Sequence, residues 1–221
     1  MKTQLMKRFG IYLFGISTLF MLSFIPAKYS SDFKKEKKKI DILTIFNPIV
    51  HIVVNNNRTE YIDSTLTKVN QELLDSLTKK MLYKKYNIKN TVLPELDINI
   101  FTDLFKQLEN SPKLLDNISA KGLLSELNLE YESKYALMLV YYGQINPDYP
   151  PHYNIHSGLA SNTIVINSST KPYSEMRLMI IDTENESVVF YDMVNSSNFD
   201  PRVSTEVEQM AKKIMKKIYY K

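Results

Sequence analysis

The chain has no cysteine among its 221 residues. Without a thiol there is no disulfide, no thiolate metal site, no cysteine nucleophile and no cysteine for lipid attachment. Any membrane association must therefore come from an apolar segment or from a protein partner. Glycine is almost as scarce: of five, Gly10 and Gly15 lie in an apolar leader, and Gly122, Gly143 and Gly158 are scattered through the rest. Neither a dinucleotide fingerprint nor a phosphate loop can be assembled from three isolated glycines, which argues against a nucleotide cofactor. Ser157-Gly158 lacks the preceding Gly-x of a nucleophile elbow, so that form of serine chemistry has no support either.

Basic residues are in excess overall, at a formal charge of +4, but not where a nucleic-acid binder would need them. Nine cations fall within the first 39 residues, and residues 40–221 carry 19 cations against 22 anions, a net charge of −3. Nucleic-acid binding by a phosphate-facing patch requires a basic domain, so no nucleic-acid partner is expected.

What is present begins with residues 11–27, IYLFGISTLFMLSFIPA, uncharged, mostly large and apolar, and preceded by Lys2, Lys7 and Arg8. Spanning hydrocarbon takes about 20 residues and a signal h-region about 7–15, so the segment reads as a signal peptide or membrane anchor. It would associate the chain with a membrane if uncleaved. Residues 28–39, KYSSDFKKEKKK, read as a solvated, lysine-rich linker that puts the domain boundary at residue 40.

From there the pattern predicts one domain over residues 40–221. IDILTIFNPIVHIVV is a strand broken or bulged at Asn47-Pro48, because proline denies a ladder hydrogen bond. Asp63 and Ser64 start a helix whose buried stripe is expected at Ile62, Leu66, Val69, Leu73, Leu77 and Met81. A short strand near residue 88, helices around residues 101–108 and 118–127, and the unbroken apolar strand YALMLVYY follow. Such a strand belongs in the centre of a sheet. Strands at 163–166, 176–181 and 187–194 come next, the last two joined by DTENE as a hairpin with solvated acids. A final helix is expected to open at Asp200-Pro201 with Asp200 as cap, burying Val203, Val207, Met210, Ile214 and Ile218. The fold class is α/β or α+β, a mixed sheet of about five strands with helices packed on it.

Chemistry-bearing residues are few. Three histidines exist, and His51, in the first strand, reads as structural. Asp148, His152 and His156 are residue types that ligate divalent metals, and a metal-dependent hydrolase on residues 148–156 is one alternative reading. Pro147, Pro150 and Pro151 preclude the helix that would put both rings on one face, so no metal site is expected there. The same loop carries Tyr149, His152, Tyr153 and His156 as candidate binding residues, since rigid tyrosine- and proline-rich surface suits recognition. No residue is expected to be catalytic and no cofactor is expected.

The order of a strand ending near Asn47-Pro48, a helix from Ser64, YALMLVYY, the hairpin MRLMIIDTENESVVFYDMV and a closing helix resembles a group of bacterial envelope modules. The group comprises the amino-terminal domain of the Tol-system propeller protein, the curli-secretion lipoprotein and the lipoprotein activators of penicillin-binding proteins. The resemblance spans residues 40–221 and implies a non-catalytic, periplasmic or inner-membrane-anchored module that binds or assembles envelope proteins. A membrane-tethered accessory of an envelope transport or assembly system is the variant with the leader retained. The lipoprotein members' lipid anchor does not carry over, for want of a cysteine.

Overall fold

A computed structural model of the chain describes residues 27–36, 40–56, 59–91, 100–112, 114–116, 118–127, 133–149, 171–197 and 199–218. It contains the strands β1 (Lys28–Tyr29), β2 (Ile42–Phe46), β3 (Ile49–Asn55), β4 (Glu60–Ile62), β5 (Asn87–Thr91), β6 (Tyr135–Ile145), β7 (Tyr173–Asp182) and β8 (Ser187–Ser196). Five helices accompany them: α1 (Ser31–Glu36), α2 (Ser64–Leu82), α3 (Ile100–Asn110), α4 (Lys121–Leu127) and α5 (Ser204–Met215). The sheet is mixed, as expected, but has eight strands among the described residues rather than about five, in the order β1-β8-β7-β6-β2-β5, with β3 beside β6 and β4 beside β3. The strand expected at 163–166 lies outside the described residues, as do residues 1–26 of the leader. Among the described residues no helix is long and apolar enough to cross a membrane.

β6 is central because every side chain from Tyr135 to Tyr141 is buried, and it is paired on both edges. β2 and β3 run parallel to it as one interrupted strand. Ile45 faces Leu137 and Ile49 faces Val140, so four steps on one strand match three on the other. The extra residue is a bulge at Asn47-Pro48, where the missing proline N–H would otherwise leave a gap in the ladder.

Helices cover both faces. On one, α2 and α5 pack over a cluster containing Ile52, Leu74, Leu139, Leu178, Met210 and Ile214. On the other, α3 and α4 pack over Ala136, Met138, Met179, Ile181 and Val188. Full burial of each large apolar side chain contributes roughly 1.5–3 kcal/mol, so these two layers supply the main driving force.

Four local expectations are corrected. Residues 28–36 are no solvated linker: β1 pairs with β8, and Phe33 of α1 is 2% exposed against Tyr135 and Phe190. Lys28 is buried, and its ammonium donates to the carbonyls of Leu108, Glu109 and Ser111 at 2.5, 2.9 and 2.7 Å. Those are the unsatisfied acceptors at the end of α3, where a cation also suits the helix dipole.

The buried line of α2 is Asn70, Leu74, Thr78 and Leu82, one residue or about 100° round from the apolar stripe. Asn70 is held inside because its amide donates to the carbonyls of Leu66 and Pro201. Val69 and Ile62 are left 52% and 54% exposed.

Asp200 does not cap α5. That helix starts at Ser204 after Val203, with no side-chain cap, while Asp200 accepts from the backbone and guanidinium of Arg202. The hairpin acid Asp182 is likewise buried rather than solvated, accepting from the N–H groups of Glu184 and Asn185 to shape the turn.

Candidate interaction site

The side chains of β7 alternate in the usual way, but on the α3 side its first half reads Tyr173, Glu175, Arg177 before turning apolar at Met179 and Ile181. Register places these polar residues beside matching positions: Arg177 faces Val140 and Met193, Glu175 faces Tyr142 and Asn195, and Tyr173 faces Gln144. His51 of β3 adds to the row by facing Tyr142.

Arg177 organises the patch. Its Nη2 lies 2.9 Å from Glu109 Oε1 of α3 and 2.8 Å from Glu175 Oε1, and the guanidinium carbon sits 4.6 Å from the centre of the Phe105 ring. A delocalised cation on an aromatic face and between two carboxylates is favoured by both contacts. Burial works against the guanidinium's charge, but Glu175, Tyr191 and Glu109 outweigh it and hold the pKa above its ordinary value. Its Nε–H is buried and has no hydrogen-bond partner among the described residues.

Tyrosines frame the cation. The Tyr173 hydroxyl donates to Glu175 Oε2 at 2.7 Å, and the Tyr191 hydroxyl to Glu109 Oε1 at 3.2 Å. Burial first, then the neighbouring carboxylates, push both phenols well above the ordinary tyrosine range, so both stay protonated donors. Tyr142 lies between His51, stacked at 6.2 Å, and Tyr173 at 6.4 Å. Thr102, Phe105, Lys106, Glu109, Val140, Tyr142, Glu175 and Arg177 line a cavity of about 370 Å³. Among the described residues its lining holds no serine, cysteine or histidine.

Of the candidate binding residues in the loop, only Tyr149 is described; His152, Tyr153 and His156 lie outside the described residues. Tyr149 is half-buried, and its carbonyl accepts from Arg202 Nη2 at 2.8 Å. That bond ties the start of the loop to the turn before α5. Asp148 is exposed, with its N–H on Asn146 Oδ1 at 2.9 Å. Among the described residues no group of three or more His, Cys, Asp or Glu side chains could hold a metal ion.

The Arg177 patch corresponds to no contiguous motif, because its residues come from α3, β6, β7 and β8. A signal for it does exist: Tyr173, Glu175 and Arg177 recur at period two in a strand whose later positions on that face, Met179 and Ile181, are apolar.

No family model matches the chain, and no curated protein does. Several solved structures align with it at low similarity. A neuraminyllactose-binding hemagglutinin homolog from Helicobacter pylori is 10% identical, covers 82% of each chain and has a TM-score of 0.39. The PelC dodecamer from Paraburkholderia phytofirmans is 10% identical over 83% of this chain and 91% of that one, at a TM-score of 0.35. The C-terminal domain of LpoB from Salmonella enterica is 9% identical over 76% and 95%, at 0.27. At these values the likeness carries no activity, partner or compartment over to this chain.

Proposed function

We propose that the chain is a non-catalytic protein-interaction or assembly module of the bacterial cell envelope, brought into or across the inner membrane by residues 11–27. Its partner contacts the Arg177 patch. The observation that carries this choice of surface is Arg177 itself, fixed over Phe105 by two carboxylates at the wall of the cavity. Arginine and tyrosine held rigid in a partly desolvated pocket are the residue types that dominate binding energy at protein interfaces. Little side-chain entropy remains to be lost when a partner arrives, because the neighbouring groups already set the geometry. The tethered form of this reading is supported by Lys28, which is buried in the sheet one residue after the leader and leaves no free spacer.

A photo-crosslinking residue in place of Thr102, at the rim of the cavity, is expected to capture a defined envelope protein in cells. Arg177→Ala in the same chain should abolish the capture while leaving thermal unfolding cooperative. Absence of any adduct, or an adduct indifferent to Arg177→Ala, overturns the assignment.

A further inference from the structure

We propose that the end of the domain where α2 and α5 terminate together is a docking surface for an anionic bilayer, beside the point where the apolar leader joins. The inference rests on the leader reading and concerns a different surface from the Arg177 patch. The two helices lie side by side and point the same way. Near their starts Asn70 Nδ2 donates to the Pro201 carbonyl at 3.1 Å, and past their ends Lys85 Nζ and the Tyr86 hydroxyl donate to the Ile218 carbonyl at 3.3 and 3.4 Å. Each helix ends in lysines, so this geometry merges two basic tips into one surface.

Some of those lysines have local work. Lys79 pairs with Asp75, Lys212 with Glu208 and Lys217 with the buried Asp192. Lys80, Lys84 and Lys216 are exposed and make no ion pair among the described residues. Between the helices runs a groove of about 380 Å³ with Leu77 and Met81 in its lining, Lys80, Lys84 and Lys212 around it, and Glu208 at the same rim with its carboxylate paired to Lys212. Tyr83, between Met81 and Lys84 in the chain, is 75% exposed. A cation in a last turn offsets its own helix dipole whatever lies nearby. Two such turns placed together, with an exposed ring and an apolar groove among the lysines, complement a surface of phosphate headgroups over hydrocarbon. Tyrosine is enriched at that depth because its ring is apolar and its hydroxyl polar.

The bilayer is the occupant because of where the tether enters. Tyr29, two residues after the leader's last residue, donates its hydroxyl to the carbonyl of Lys217 at 3.3 Å, in the turn that closes α5. A leader held in the membrane thus delivers the chain to the lysine-bearing end with no slack to carry it elsewhere. Each lysine near an anionic surface multiplies the docked population about fivefold, and three multiply it roughly a hundredfold.

The absence of cysteine permits a clean test. A fluorophore on Ser76→Cys, exposed on α2, or on Glu126→Cys, exposed on α4 across the sheet, is placed in the full chain reconstituted into vesicles containing a headgroup quencher. Quenching at residue 76 is expected in phosphatidylglycerol-containing vesicles and not in pure phosphatidylcholine. It should reverse in high salt, and the quenched-to-unquenched ratio should fall roughly a hundredfold in the triple variant K80Q/K84Q/K216Q. Residue 126 should stay unquenched. Equal quenching in both lipids, none in the anionic one, or indifference to the triple variant in a chain that still unfolds cooperatively overturns the proposal. None of these outcomes bears on crosslinking at Thr102.

Discussion

The two faces of the sheet are built from the same strands and differ in how far the helices cover them. Under α2 and α5 the apolar cluster runs almost the length of β6 and β7, from Leu137, Leu139 and Tyr141 to Met176, Leu178 and Ile180. Under α3 and α4 it stops part-way: Met138 and Val140 give way to Tyr142, and Met179 to Arg177, Glu175 and Tyr173. Strand alternation assigns side chains to a face, and the reach of the covering helix decides whether that face must be apolar or must pair its charges. One face is therefore a stabilising layer, and the other divides between core and a surface able to recognise something.

The comparison predicts which changes are severe. A chain beginning at residue 40 loses Phe33 from one face and the Lys28 cap of α3 from the other, so cooperative unfolding is expected to vanish, whereas a chain beginning at residue 27 should retain it. Ile214→Asp places a charge at a fully buried position on the continuous face and should cost about 4 kcal/mol or more, read as unfolding or a collapse of Tm.

Gly143 tests how tightly that face is closed. A β-carbon there would lie 2.6 Å from Pro201 Cγ and 2.7 Å from Ile52 Cδ1, so Gly143→Ala should cost about 1–3 kcal/mol in urea unfolding through overpacking.

The buried Asp192 refines the picture on the same face. Burial raises its pKa, and the bond and charge of Lys217 only partly offset this. A carboxyl whose folded pKa exceeds its unfolded one favours the fold below the ordinary aspartate range and loses that contribution as pH rises through the folded value. Asp192→Asn should flatten this acid-side decline, as measured by unfolding free energy against pH. The smallest effect is expected from His152→Ala with His156→Ala, within about 0.5 kcal/mol by thermal unfolding. A much larger loss, or loss of a bound metal, would favour the metal reading of that loop.

Several elements were legible in the chain because their signals are local. The bulge follows from Pro48, the position of β6 from an unbroken apolar run, the hairpin from DTENE between two β-rich segments, and α5 from a stripe in which Val207, Met210, Ile214 and Ile218 are all buried. α2 was mis-phased because hydrophobicity alone ranks Val69 above Asn70. Asn70 becomes an interior residue only when the Pro201 carbonyl, 131 residues away in sequence, arrives to accept its amide. The same holds for Lys28: a lysine in a charged stretch reads as solvated until the end of α3 presents its carbonyls to it.

Sequence by itself determined the types and order of most elements, the apolar leader and the scarcity of motifs for nucleotide or thiol chemistry, since periodicity, turn residues and missing residue types need no partner to be read. Tertiary structure alone decided the eight-strand order, the rotation of α2, the closing of residues 28–36 onto the sheet and the gathering of Glu109, Tyr142, Glu175, Arg177 and Tyr191 into one patch. These depend on donors, acceptors and charges meeting across long sequence separations, and such meetings are fixed by which backbone groups remain unsatisfied and which faces remain uncovered once the elements pack.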